Sequence, residues 1–160
     1  MLQALKKSLQ SFQDLRGKQY ERRSSKHKFD SPAYEWTIFK NQDFAVQIRG
    51  WQSKDKFGWN VYALIYDSHP LFLDVQEALD LPFHSGPTYS ELVTYEPAQG
   101  IRYDWQKVFN VLKLGSDYAH LYDDEFKQLN PANGIPFVIR CDAQDLANKL
   151  MTTSLKKVAA

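Results

Sequence analysis

Cysteine is almost absent from this chain. Cys141 stands alone, so no internal disulfide can form and no thiolate-rich zinc site can be assembled. Long apolar runs are missing as well. No stretch approaches the ~18 apolar residues that a membrane-spanning helix needs. The opening MLQALKKSLQSF has lysines inside it and no apolar core of the kind a secretory signal carries. These absences point to a cytoplasmic protein. There is no internal repeat, no low-complexity tract and no interior linker, so the 160 residues are expected to form one domain.

Sequence signatures of the common enzyme classes are lacking too. No Walker-type phosphate loop, no Gly-x-Gly-x-x-Gly fingerprint, no His-Glu-x-x-His and no Gly-x-Ser-x-Gly occurs. That argues against a P-loop enzyme, a dinucleotide oxidoreductase, a zincin and an ordinary α/β-hydrolase. Nothing in the chain calls for a cofactor or a metal.

What is present is aromatic. Four Trp, nine Tyr and ten Phe supply enough bulk for a core, and the Tyr and Trp among them need partners for their polar tips. Charge nearly balances at +1 but is unevenly spread. Residues 1–28 hold eight Lys or Arg against Asp14 and Glu21, a net of +6, and the remainder carries −5. A basic front end on an acidic body either meets phosphates or is attracted by its own domain. The second is the simpler account, and nucleic acid is not the expected partner despite Tyr20 among the basic residues.

Periodicity orders the chain. Leu2, Leu5, Leu9 and Phe12 recur at helical spacing, which predicts a helix within 1–17 that stops at Gly17. Residues 18–33 read as a basic loop or arm. From Tyr34 the period becomes two, predicting strands over 34–40, 43–50 and 58–67 as an antiparallel meander with QSKDKFG as a surface loop. LFLDVQEALDL reads as a short helix. Residues 88–96 are expected to be extended, with Ile101 to Trp105 as a returning partner. VFNVLKL reads as the most buried strand, ended by Gly115, and IPFVIR as a further strand. Asp142 is expected to cap a C-terminal helix over 142–152, with Cys141 just before it and a frayed tail over 153–160. The fold class is therefore α+β: an N-terminal and a C-terminal helix packed on a mostly antiparallel sheet of about five or six strands, the sheet region spanning 34–140.

The polar residues that fall at predicted strand ends are the candidate site. They comprise His69-Pro70, the segment from His84 to Thr88, and Gly115-Ser116-Asp117-Tyr118-Ala119-His120 followed by Asp123 and Asp124. Loops held by a rigid sheet are where sites tend to sit. A histidine beside a carboxylate is fixed in one tautomer and can act as a general base. The same set could hold a divalent cation, and Asp117 and His120 could equally just cap the strand end. His84, Asp117 and His120 are the candidate catalytic residues, with His69, Thr88, Asp123 and Trp59 as candidate ligand contacts.

Three of these segments, spread over residues 58–124, resemble an uncharacterised family of small bacterial and phage proteins. The family pattern is a His-Pro-Leu segment, a His-Gly-Gly-(Leu/Ile)-Thr segment and a Gly-Phe-Asp-x-Ala-His-x-Gly-Asp segment. Here they stand as His69-Pro70-Leu71, His84-Ser85-Gly86-Pro87-Thr88 and Gly115-Ser116-Asp117-Tyr118-Ala119-His120, followed by Asp123. Ser85, Pro87 and Tyr122 depart from it. The resemblance implies that His69, His84, Thr88, Asp117, His120 and Asp123 are the shared polar residues; it implies no particular reaction. The sequence leads to a small cytoplasmic domain of phage or mobile-gene background that binds a small polar ligand near His84, Asp117 and His120, with hydrolysis as the reaction such a set would perform. The competing expectation is a non-enzymatic interaction module for a protein or nucleic acid. Oligomeric state is not specified by the sequence.

Overall fold

The computed structural model describes residues 33–95 and 109–158. The predicted N-terminal helix, the basic arm and the returning strand at 101–105 lie outside them. Five strands form one antiparallel sheet: β1 (Tyr34–Lys40), β2 (Phe44–Ser53), β3 (Lys56–Tyr66), β4 (Tyr89–Tyr95) and β5 (Phe109–Asp117), in the order β1-β2-β3-β5-β4. A short helix α1 (Val75–Leu79) follows β3, and the long helix α2 (Phe137–Val158) closes the chain. The α+β class with an antiparallel sheet is thus the one read from the sequence.

Alternation builds the core. Phe44, Val46 and Ile48 of β2 face the same way as Trp59, Val61, Ala63 and Ile65 of β3 and Leu112 and Leu114 of β5, because the register pairs Ile48 with Val61 and Ala63 with Leu114. Onto this face α2 lays Ile139, Ala143, Leu146, Ala147 and Leu150, a stripe at helical spacing whose members are all buried. The first hairpin is set by Asn41, whose side-chain oxygen accepts from the amides of Asp43 and Phe44.

Four boundaries differ from the sequence expectations. The β2–β3 strands run on through Ser53 and Lys56, so the expected QSKDKFG loop shrinks to Lys54-Asp55, with Lys54 at φ 54. Gly115 does not end β5. It lies inside the strand because Tyr62 on β3 covers it, and a Cβ there would sit 2.5 Å from the Tyr62 ring. IPFVIR is not a strand: Phe137 already opens α2, just after Pro136, a position where the missing N–H of proline costs nothing. Its β-branched and aromatic composition misled, since Ile139 is the first member of the helical core stripe. Asp142 and Cys141 consequently sit within α2 rather than at its start, and α2 continues to Val158 where a frayed tail was expected.

The same sheet positions the site. β4 follows residues 84–88 and pairs with β5, placing Thr88 beside Gly115, where its amide donates to the Gly115 carbonyl at 2.8 Å. The segments carrying His84 and His120 therefore enter and leave the sheet at the same end.

Candidate functional site

The 118–129 segment is fastened at both ends to β3. Tyr118 N–H donates to the Trp59 carbonyl at 3.1 Å, and the Trp59 indole N–H donates to the Leu129 carbonyl at 3.0 Å. Between these anchors, residues 120–123 form a tight turn. Asp123 N–H donates to the His120 carbonyl at 3.1 Å, and His120 N–H donates to Asp123 Oδ2 at 3.0 Å.

Asp123 is the pivot. Its carboxylate is buried, and His84 Nε2 approaches both oxygens at 2.9 Å. A carboxylate only accepts, so the His84 proton sits on Nε2 and is shared between the two oxygens. This leaves Nδ1 as the basic nitrogen. Nδ1 has no partner among the described residues and is not among the buried unpaired atoms, so water reaches it. The ring is clamped in orientation by Tyr118, stacked at 4.3 Å between centroids, with Phe126 edge-on to both rings.

Tyr118 carries the clamp into the helix. Its hydroxyl donates to Asp142 Oδ2 on α2 at 2.6 Å. Burial, then the hydrogen bond to Asp142, then the charges of Asp142 and Asp123 push the phenol far above the ordinary tyrosine range. It is held neutral, as a donor.

His120 and Asp117 complete the cluster. The His120 ring lies 5.7 Å from the His84 ring, and its Nε2 is 3.7 Å from Asp117 Oδ1, beyond hydrogen-bond range. Nε2 is buried and has no hydrogen-bond partner. Thr88 Oγ1 accepts from the Asp117 amide at 3.3 Å, tying the two strand ends together. The loop carrying His84 is strained. Its turn is closed by Gly86 N–H to the Phe83 carbonyl, with Ser85 at φ 54, a conformation that favours glycine.

The structure thus brings together His84, Thr88, Asp117, His120 and Asp123. Two expected ligand contacts are not with them. His69 is buried beneath α2: Leu71 N–H donates to its Nδ1 at 3.1 Å, and its Nε2 meets the Leu150 carbonyl at 3.1 Å. Both ring nitrogens are consumed in holding α2 to the turn after β3. Trp59 has its side chain in the core and supports the 118–129 segment from below. Sequence reasoning missed Tyr118 and Asp142 as members of the cluster. Tyr118 was in view as part of a polar–aromatic run, but its contact with Asp142 spans 24 residues and left no local pattern. Among the described residues no group of three or more His, Cys, Asp or Glu side chains is arranged to hold a metal ion, and no helix is long and apolar enough to cross a membrane.

No family model, curated protein or solved structure matches this chain.

Proposed function

We propose that this domain binds a small polar ligand at the His84–Asp117–His120 cluster and hydrolyses it, with His84 as general base. The observation that supports the reading is the asymmetry of the His84 ring: Nε2 is tied symmetrically to the buried Asp123 carboxylate, while Nδ1 has no partner among the described residues and is open to water. A carboxylate so placed fixes the tautomer and stabilises the imidazolium that forms when Nδ1 takes a proton from water or a hydroxyl. The Asp117 amide on Thr88 Oγ1 and the Asp123 carboxylate on His84 hold the two loops in register. On this reading the domain works in the cytoplasm, in the bacterial or phage setting that the resembling segments imply.

A positioned base contributes ~10²–10⁴-fold to a rate. Wild type and His84→Gln are to be assayed against chromogenic esters, amides, phosphoesters and glycosides. The expected outcome is turnover of at least one class by wild type and its loss in the variant. Equal rates for the two proteins in every class would overturn the assignment.

A second reading rests on a separate observation. Leu121 and Tyr122, at the corners of the turn beside His120, are 80% and 90% exposed. An apolar tip on a rigid turn suits an interaction module docking on a protein. Replacing both residues with Ser would then abolish partner capture and leave any hydrolysis intact.

A further inference from the structure

The charge of the cluster constrains what it can bind. Asp117, Asp123 and Asp142 each contribute a carboxylate in direct contact with His120, His84 or Tyr118. No Lys or Arg makes an ion pair with any of these three among the described residues. Were both imidazoles protonated, the set would still carry net negative charge. The pairs that Lys and Arg do make are with other carboxylates, Lys127 with Asp124 and Arg49 with Glu35. While the three carboxylates are ionised, an approaching phosphate or carboxylate therefore meets repulsion whether or not the imidazoles are protonated.

His120 Nε2 is vacant but buried; the vacant hydrogen-bonding positions that reach solvent share one polarity. The Asp117 carboxylate accepts no hydrogen bond among the described residues and lies 3.7 Å from His120 Nε2. His84 Nδ1 presents a lone pair. Both are acceptors, and a ligand that satisfies them must donate.

We infer that the ligand of this site is an organic cation with N–H donors, of the amidine or guanidine class, and that Asp117 reads its charge. The inference rests on the proposed role of His84 and adds the identity of what His84 faces. A planar N–H fork matches a carboxylate two atoms at a time, which suits the open Asp117 oxygens. Asp117 is thereby the specificity residue and His84 the base.

The test uses the full chain and histidine ring NMR, with benzamidine as the cationic probe and benzoate and phenyl phosphate as anionic counterparts at matched ionic strength. Benzamidine is expected to shift the His84 and His120 ring resonances saturably, and the two anions are not. Asp117→Asn is expected to weaken benzamidine at least roughly tenfold, as loss of a charged hydrogen bond implies, while leaving the His84 ring proton on Nε2. Tighter binding of either anion, or no saturable shift with benzamidine, overturns the cation assignment and leaves the base assignment standing. A His84 proton found on Nδ1 overturns the base assignment instead.

Discussion

Two histidine environments, about equally prominent in the sequence, turn out opposite in character. His69 lies beneath α2 with both ring nitrogens engaged by backbone, one accepting from Leu71 and the other facing the Leu150 carbonyl. Around His84 and His120 the hydrogen bonding is incomplete: His84 has a spare nitrogen, and His120 Nε2 stands 3.7 Å from the nearest carboxylate. A histidine with no spare valence is a fastener, whereas one with a spare nitrogen beside a buried carboxylate is equipped to move a proton. The difference is set by whether the ring meets backbone or side chains.

The sharpest way to break this contrast is His69→Ala. It removes two buried hydrogen bonds and the edge contact with Phe44, and about 3 kcal/mol of stability should go with them. Urea unfolding reads this directly, and a loss under about 1 kcal/mol would erase the distinction.

Tyr118→Phe comes next, at about 1–1.5 kcal/mol near neutral pH, since Asp142 loses its donor. The pH dependence has a definite sign. The phenol is raised in the native state from its ordinary 10.0, so its contribution is complete below pH ~10. It is lost as pH climbs beyond that, because the unfolded chain ionises first. Wild-type stability should therefore fall more steeply above pH ~10 than that of Tyr118→Phe, as unfolding curves across that range will show.

Ser85→Gly should stabilise by about 0.5–1 kcal/mol, measured as a rise in the urea midpoint, by relieving a left-handed residue. The smallest effect belongs to Asp117→Asn and His120→Gln. Neither side chain makes a full hydrogen bond, so both variants should unfold within about 0.5 kcal/mol of wild type. Losses of 2 kcal/mol would instead make them caps of the strand end.

The sheet was legible in the sequence because its strands alternate cleanly: Trp59, Val61, Ala63 and Ile65 face one way and their neighbours the other. α2 was only half legible. Its first turn, Phe137-Val138-Ile139, has strand composition, and only the docking of Ile139 on the sheet makes the segment helical. Gly115 misled for a related reason, since it admits the Tyr62 ring from the neighbouring strand. Within the site, the proximity of His84, Asp117, His120 and Asp123 follows from their lying at strand ends, which the sequence displays. The roles within the set were not legible. That Asp123 grips His84 while Asp117 stays open depends on the tight turn over 120–123, and no spacing rule encodes it.

The pairing of β4 with β5 has a practical consequence. Tyr89 lies opposite Gly115 at the end where the polar cluster gathers, and Tyr95 lies opposite Phe109 at the other. The chain that joins Tyr95 to Phe109 therefore departs from the far end of the hairpin, six residue steps of strand, or ~20 Å, from the chemistry. What holds the cluster end in place is the run of pairs from Tyr89–Gly115 to Tyr95–Phe109.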